Sequence, residues 1–295
     1  MRRTFFQPAG HAAKPLGLFL IALSCGAAMV RASSAEDKAF RVCADPNNLP
    51  FSNEAKAGFE NKLADLVAAE FGERVVYTWH AERRGFVRET LKAKACDVVM
   101  GLPAHYDPAE ITQPYYRSAY VFVSRADRHL GIASIKDPRL RQLKIGVQLI
   151  GDDGFNTPPP HALAAQGIID NLVGYTVYGD YRTPNPPAAI VTAVEHGDVD
   201  IAAVWGPLAG YFAKQSPVPL TVVPIADTES FAPLQFAYDI GMGVRKGDHA
   251  LRDQLNEIIA RKRPQITALL QSYGVPLVDA AVHETENTGG SNSKN

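Results

Sequence analysis

The sequence has almost no excess of charge of either sign. Its 295 residues include 30 Lys and Arg against 31 Asp and Glu, which gives a formal net charge of −1, and the two signs are interspersed along the chain. Surfaces that bind nucleic acid or anionic lipid concentrate basic residues in one run or on one face. We therefore expect neither nucleic acid nor an anionic membrane surface as a partner.

The sequence also lacks the motifs of common catalytic and metal sites. Its eight histidines are scattered, with no pair at metal-ligand spacing. Asp152-Asp153-Gly154 lacks the alternating carboxylates and final glutamate of a calcium loop, so we interpret it as a surface turn. No Gly-Lys-Ser/Thr phosphate loop and no serine in a nucleophile elbow occur. We expect no metal, no cofactor and no catalytic residue.

Long apolar runs are absent except at the N-terminus. Residues 16–30 carry no charge, follow a basic start that includes Arg2, Arg3 and Lys14, and precede the small residues 32–35. A basic region, a short apolar region and a small-residue cleavage site are the parts of a secretory signal peptide. A membrane anchor is the alternative, but spanning a bilayer takes about 20 apolar residues. We favour a signal peptide at residues 1–35.

Export follows from this interpretation. We expect cleavage after Ala35 or Ala32 and a soluble periplasmic product without stable membrane insertion. Residues 2–6, RRTFF, resemble a twin-arginine motif, and the sequence leaves the choice between this route and the general secretory route open. The tail at residues 283–295 is rich in small, polar and charged residues, so we predict that it is disordered.

Cysteine is scarce as well. Of three cysteines, only Cys43 and Cys96 remain after signal-peptide removal. Two cysteines in an oxidising compartment favour a disulfide, which would close a loop of about 53 residues and stabilise the fold by about 4 kcal/mol on the chain-entropy model. The two lie on segments interpreted as neighbouring parallel strands, one near its end and one at its start, whereas a bridge needs Cα atoms within about 7 Å. The sequence leaves disulfide and free thiols open.

Strand and helix patterns alternate along the rest of the chain. The strand patterns are at residues 40–44, 75–79, 97–101, 143–148, 172–178, 198–205, 220–224 and 238–244, and the helix patterns at 59–71, 86–91, 188–195 and 251–273. A proline-rich loop at 157–160 leads into a further helix, and Pro264 is expected to kink or break the last one. Alternation of this kind predicts parallel strands with right-handed crossovers.

We therefore predict an α/β protein with two α/β lobes around a central cleft. Lobe 1 is expected to comprise residues 36–124 and 237–282, and lobe 2 residues 125–236. Parallel sheets bind ligands at the carboxyl ends of their strands, so a ligand would lie between the lobes.

Several short blocks resemble extracellular solute-binding proteins of the polar amino-acid type (family 3). These blocks are at residues 45–51, 58–60, 95–101, 114–116, 145–148, 197–201 and 243–248, and they span about 210 residues. The resemblance implies the two-lobed periplasmic binding protein fold of type II.

Longer stretches are similar to a narrower branch of that family. They are RVCADPNNLPFS at 41–52, RRGFVR at 83–88 and PYYRSAYVF at 114–122. They resemble the quinoprotein-dehydrogenase-associated branch, the MoxJ/XoxJ-type proteins associated with methanol dehydrogenases. The resemblance implies a non-enzymatic accessory role in maturing or activating a periplasmic PQQ-dependent alcohol dehydrogenase, which would be the partner.

Two positions depart from the amino-acid receptors of the family. Such receptors usually carry an arginine after the third strand, which binds the substrate carboxylate, whereas residues 101–108 are GLPAHYDP. They also carry an aspartate for the ammonium group, whereas residues 204–207 are VWGP. In a cleft without these groups, a polar solute would lose its hydration and gain no hydrogen bond or ion pair to offset the free-energy cost. We therefore predict an apolar cleft that contacts a polypeptide segment or an apolar solute.

The predicted cleft or partner-binding residues lie at strand ends and in the family-like blocks. They are Asp45, Asn47, Leu49, Pro50, Phe51, Leu102, Pro103, Tyr115, Arg117, Gln148 and Trp205. Core packing remains an equal interpretation for Trp205 and for the pair Tyr115-Tyr116.

Two other functions compete with the accessory role. One is a receptor that delivers a small organic solute to an ABC transporter. The other is an enzyme on the same scaffold, such as a cyclohexadienyl dehydratase. That chemistry needs a positioned acid and a carboxylate clamp, and the missing arginine argues against it.

Overall fold

The computed structural model of the chain describes residues 38–150, 156–176 and 181–279. The predicted signal peptide, the turn at Asp152-Asp153-Gly154, the end of the strand predicted at 172–178 and the tail at 283–295 lie outside the described residues.

Strands and helices alternate through most of the described chain. The strands are β1 Ala39–Ala44, β2 Asn47–Asn48, β3 Ser52–Asn53, β4 Arg74–Trp79, β5 Val98–Pro103, β6 Glu110–Ile111, β7 Tyr116–Arg125, β8 Ile145–Leu149, β9 Leu172–Thr176, β10 Ile201–Trp205, β11 Leu220–Pro224 and β12 Ala237–Val244. The helices are α1 Phe59–Phe71, α2 Phe86–Glu89, α3 Pro158–Ala165, α4 Ala189–His196, α5 Gly206–Gln215 and α6 His249–Ser272.

Ten of these strands form one mixed sheet with a parallel region in each lobe. In the first lobe β1 pairs in parallel with β4 and β5, and in the second β8 pairs in parallel with β9 and β10. The predicted parallel pairing is therefore confirmed. The long strands β7 and β12 pair antiparallel and connect the lobes, since β7 also pairs with β10 and β11. The predicted lobe boundaries stay a prediction, because β7 belongs to both sheet halves.

Helices cover the sheet and complete separate cores for the lobes. In the first lobe α1 and α6 pack together, with Phe59, Leu63 and Ile259 buried against the strands. In the second lobe α4 and α5 bury Ile190 and Leu208 against β7 and β10. Each fully buried side chain of this size contributes about 1.5–3 kcal/mol. The helix predicted at 59–71 matches α1, which ends at Gly72 in the left-handed conformation with φ 66°.

Proline positions account for the differences from the predicted elements. Pro158 to Pro160 form the first turn of α3 rather than a loop before it, since N–H groups in the first turn have no helical acceptor. Helix α6 continues through Pro264, and Ile266 and Leu270 beyond it are buried in the first-lobe core, which offsets the lost backbone hydrogen bond. Among the described residues, no helix has the length and apolarity to cross a membrane.

Candidate functional site: a cavity between the lobes

A cavity of about 390 Å³ lies between the lobes, where the parallel strands of both sheet halves end. We call it the cleft cavity. Its described lining residues are Asp45, Asn47, Asn48, Phe51, Glu60, Glu82, Gly101, Pro103, Tyr116, Tyr120, Gln148, Ile150, Thr157, Tyr181, Pro187, Trp205, Tyr238 and Ile240. Ligand pockets typically measure about 300–1,000 Å³, so this volume fits a small molecule or an inserted side chain.

Asp45 follows β1 and is the most thoroughly hydrogen-bonded acid of the cavity. Its side chain is buried, and its carboxylate accepts hydrogen bonds from the backbone N–H of Asn47 at 2.8 Å and of Glu82 at 2.6 Å. The hydroxyl of Tyr181 donates a further hydrogen bond to it. These donors fix the orientation of the carboxylate, because charge-assisted bonds are the stronger ones.

Glu60 is a second acid, and a glycine makes room for it. It lies in the first turn of α1, and its carboxyl group stands so close to Gly101 that a Cβ there would lie 2.2 Å from Glu60 Oε1. Burial raises the pKa of Glu60 well above its usual range, and the carboxylates of Glu82 and Asp45 raise it further. Any other residue at position 101 would displace this carboxyl group from the cavity.

Glu82 is the third acid and follows the end of β4. Burial raises the pKa of its carboxyl group to about 7, and the nearby Asp45 carboxylate acts in the same direction. The side-chain amide of Asn48 donates a hydrogen bond to it at 3.1 Å, which opposes the shift only in part. Perturbed carboxyl groups of this kind concentrate at functional sites.

These three residues form the acidic wall of the cavity: Asp45, Glu60 and Glu82. No lysine or arginine is among the described lining residues. In the described part of the chain, no group of three or more His, Cys, Asp or Glu side chains is arranged to hold a metal ion. Rings and apolar side chains line the cavity together with these carboxyl groups, which the sequence analysis did not include, so the apolar character of the cleft stays a prediction.

The second lobe supplies a neutral wall: Gln148, Ile150, Thr157, Tyr181, Pro187 and Trp205. Gln148 lies on β8, and its side-chain oxygen accepts a hydrogen bond from the backbone N–H of Trp205 at 2.8 Å. The Trp205 ring ends β10 and packs between Tyr120 and Tyr238, with centroid distances of 5.3 and 5.8 Å. Trp205 is half-buried, so its ring packs against the core and also faces the cavity.

Hydrogen bonds cross the cleft on one side of the cavity. The Asn47 side-chain amide donates to the Thr183 carbonyl oxygen at 2.9 Å, and the Asn185 backbone N–H donates to Asn47 Oδ1 at 3.1 Å. With the Tyr181–Asp45 bond, these contacts join residues 181–185 of the second lobe to the turn after β1. The structure is therefore a closed form of the cleft.

Comparison with known proteins explains this arrangement. The family model of bacterial extracellular solute-binding proteins, family 3, matches residues 40–275. The chain belongs to this family. Protein MoxJ of Methylorubrum extorquens (strain ATCC 14718 / DSM 1338 / JCM 2805 / NCIMB 9133 / AM1) is 32% identical over 283 residues, 88% of this chain and 92% of that protein.

Two solved structures are similar over most of the family domain. One is the periplasmic binding protein XoxJ from Methylobacterium extorquens AM1, with a TM-score of 0.68 and 33% identity, covering 82% of this chain and 100% of that one. The other is MxaJ from Methlophaga aminisulfidivorans MPT, with a TM-score of 0.71 and 26% identity, covering 81% and 100%. The chain thus has the two-lobed periplasmic binding protein fold that its resemblance implied.

Within this solute-binding fold, the structure brings part of the predicted site together. The predicted residues that line the cavity are Asp45, Asn47, Phe51, Pro103, Gln148 and Trp205. They reach it because they lie in the segment that follows β1 or at the carboxyl ends of β5, β8 and β10. Their role in binding stays a prediction.

The other predicted residues lie away from the cavity. Leu49 and Pro50 form a buried turn around a cis peptide bond. Side chains alternate along a strand, so Leu102 on β5 packs behind the sheet with Cys43 and Cys96. Tyr115 is buried in the first-lobe core, while its neighbour Tyr116 faces the cavity.

Arg117 lies outside the cavity because it is paired with Asp239. The two residues face each other across β7 and β12, and their side chains form an ion pair at 2.6 Å beside a neighbouring groove. Arg117 is therefore not available to the described cavity as a free cation.

The sequence analysis missed Glu60, Glu82, Tyr120, Tyr181 and Tyr238 as lining residues. For two of them, the sequence contains a feature from which their position in the cavity could have been predicted. Glu60 is part of the family-like block at 58–60, and Glu82 closely follows the end of a predicted parallel strand, the position from which cleft residues were chosen. Tyr181 has no such feature, because its approach to Asp45 depends on closure of one lobe onto the other.

The two cysteines are bonded in this structure. Cys43 and Cys96 form a disulfide with a Cα–Cα distance of 5.5 Å, and both are buried. From the sequence, one cysteine was expected near the end of its strand and the other at the start of a neighbouring strand, which made pairing uncertain. In the structure Cys96 precedes β5 and lies beside the end of β1, so the two cysteines meet. The bond lies close to the acidic wall in the chain, since Asp45 follows Cys43 by two residues.

Proposed function

We propose that this chain is a non-enzymatic periplasmic accessory protein that assists the maturation or activation of a PQQ-dependent alcohol dehydrogenase, namely a methanol dehydrogenase. The observation that carries the proposal is the likeness to Protein MoxJ and to XoxJ, which extends over both lobes. The blocks that resemble the quinoprotein-dehydrogenase-associated branch lie around the same cavity, at 41–52 and 114–122.

The chemistry of the cavity supports an accessory role over amino-acid transport. Strand β5 is followed by Ala104 and His105 rather than by an arginine, and α5 begins directly after Trp205 where receptors of the family have an aspartate. Without a cation in the described lining, a substrate carboxylate would face three carboxyl groups and lose its hydration without compensation.

A periplasmic location agrees with the disulfide and with the signal-like N-terminus. Disulfides persist in oxidising compartments, and Cys43 and Cys96 are bonded. We propose that the mature protein starts near Glu36 and is soluble, with lobe 1 at 36–124 and 237–282, lobe 2 at 125–236 and a disordered tail at 283–295. N-terminal sequencing of periplasmic protein that still began at Met1 would contradict this assignment.

The test of the accessory role is genetic and biochemical. Deleting the gene should abolish alcohol-dehydrogenase activity in periplasmic extracts while the dehydrogenase polypeptide is still made, and a plasmid copy should restore the activity. Purified protein added to dehydrogenase from the deletion strain should raise its specific activity. Full activity in the deletion strain would overturn the proposal.

A second candidate is a receptor that delivers a small organic solute to an ABC transporter. The closed, ligand-sized cavity favours it. A receptor saturated at 100 times its Kd gains about 2.7 kcal/mol of stability, so a solute screen by thermal unfolding separates the two functions.

A further inference from the structure

The acidic wall has no cationic partner among the described lining residues, which include no Lys or Arg. Burial raises the pKa of Glu60 and of Glu82, and neighbouring carboxylates raise both further. Arg83 is nearby, but it is exposed and packs on the Tyr181 ring, 5.0 Å from its centre. Buried acids are normally paired with a cation or hydrogen-bonded, so the wall has an unused capacity to neutralise a positive charge.

A buried hydroxyl next to the Glu60 carboxyl group has no hydrogen-bond partner in the described part of the chain. Behind Gly101, the hydroxyl of Tyr115 has no hydrogen-bond partner although only 3% of the residue is exposed. It lies 3.6 Å from the position that a Gly101 Cβ would take, next to the Glu60 carboxyl group. Unsatisfied buried polar groups indicate a missing partner.

Aromatic rings line the same cavity as the three acids. They belong to Phe51, Tyr116, Tyr120, Trp205 and Tyr238. Ring faces attract cations within about 6 Å, and cages of such rings recognise ammonium groups. Because no three-acid metal arrangement exists in the described chain, the combination suits an organic cation better than a metal ion.

We propose that the cleft cavity binds an organic cation, an ammonium or guanidinium head on a short apolar stem. The head contacts Glu60 and Glu82, and the stem lies against Trp205 and Tyr238. A free amine and a lysine or arginine side chain of a partner polypeptide share this chemistry. The proposal holds for either proposed function, since it concerns the ligand chemistry and not the consequence of binding.

The test compares probes of similar size with a short alkyl stem, whose head groups are positive, neutral and negative. Butylammonium, 1-butanol and butyrate are titrated into the mature protein, with calorimetry and tryptophan fluorescence as readouts. We expect saturable butylammonium binding with a Kd below about 1 mM, and at least tenfold weaker binding of the other two. Equal binding of 1-butanol or butyrate, or no saturable binding of butylammonium up to about 10 mM, overturns the proposal.

Variants of single glutamates test which carboxyl groups bind the cationic head. Glu60→Gln and Glu82→Gln preserve shape and should each weaken butylammonium binding about tenfold or more, since a charge-assisted bond is lost. Glu54→Gln, at an exposed carboxylate outside the cavity, should bind as the unmodified protein does. Thermal unfolding confirms that each variant is folded. Unchanged affinity in both folded cavity variants overturns the proposal.

One further probe, compared with butylammonium, distinguishes the source of the cation. N-acetyl-lysine methylamide presents a lysine side chain within a peptide-like backbone. If it binds at least as tightly as butylammonium, a polypeptide side chain is the source. If it binds tenfold more weakly, the cavity takes a free amine.

Discussion

The two walls of the cleft cavity differ in the chemistry that they contribute. The first lobe provides Asp45, Glu60 and Glu82, whereas the described lining of the second lobe is uncharged and includes Trp205. A ligand with a cationic head and an apolar stem contacts both walls, and therefore stabilises the closed form. We therefore expect the charge of a ligand to decide whether it binds, and its contact with the rings to decide how tightly it binds.

The walls also differ in how they are supported. Next to Asp45 of the acidic wall, the Cys43–Cys96 disulfide ties the end of β1 to the start of β5. The neutral wall, in its described part, is held by packing of Trp205 against Tyr120 and Tyr238 and by the hydrogen bond from Trp205 to Gln148. Because a covalent bond supports the acidic wall and side-chain packing supports the neutral wall, substitutions in the two walls should have different effects.

The largest expected effect is on the acidic wall. Replacing both cysteines, Cys43→Ala with Cys96→Ala, should lower the free energy of unfolding by about 4 kcal/mol, because the unfolded chain regains the entropy of a loop of about 53 residues. Urea unfolding measures it, and alanine avoids burying a hydroxyl group. The control is the unmodified protein with reductant, which should approach the variant. A loss below about 1 kcal/mol would show that the disulfide is dispensable for this wall.

The next effect concerns the neutral wall. Trp205→Ala should weaken binding of the dehydrogenase partner or of butylammonium by about 30-fold, because truncating a central ring typically costs about 2 kcal/mol. Calorimetry checks the affinity, and thermal unfolding reports the loss of packing. Trp79→Ala is the matched control: Trp79 is also half-buried and stacks on Tyr77 at 4.4 Å, outside the cavity. Equal losses of affinity in both variants would remove the neutral wall from the binding surface.

A smaller effect is expected from pH. Burial and Asp45 raise the pKa of Glu82 to about 7, whereas an unfolded glutamate titrates near 4.3. The folded protein therefore holds this proton more tightly. The resulting stabilisation is fully present below about pH 4.3 and is lost as the pH rises through 7.

We expect the unfolding midpoint to fall between pH 5 and 8 by about 2–4 °C more in the unmodified protein than in Glu82→Gln. Glu60 makes stability fall with rising pH in the same direction, and it does so equally in both proteins. The groups that face Glu82 are Asp45, Asn48 and Tyr106. Identical slopes would mean that Glu82 is hydrated, and that the acidic wall is open to solvent.

The sequence predicted the fold better than the site. Parallel pairing, α1 and the cavity position follow from local patterns and from the rule on strand ends. Leu102 and Tyr115 do not line the cavity, whereas their neighbours Pro103 and Tyr116 do. For Leu102 the reason is alternation along β5, which turns its side chain to the other face of the sheet. Of the acidic wall, Asp45 was predicted, whereas Glu60 and Glu82 were missed, since they join it only when α1 and the end of β4 meet at Gly101 and Asp45.

The smallest expected effect is the absence of a response to free amino acids. A receptor with micromolar affinity gains about 4 kcal/mol at 1 mM ligand, which raises the unfolding midpoint by roughly 8–16 °C. Lysine, arginine and glutamate at 1 mM should raise it by less than about 1 °C, because their α-carboxylate would face the acidic wall without a cation in the described lining. N-acetyl-lysine methylamide, which lacks that carboxylate, is the matched control at the same concentration. A receptor-sized shift with any common amino acid would contradict the prediction, and the carboxylate would then need Arg117, now paired with Asp239, to turn toward the cleft.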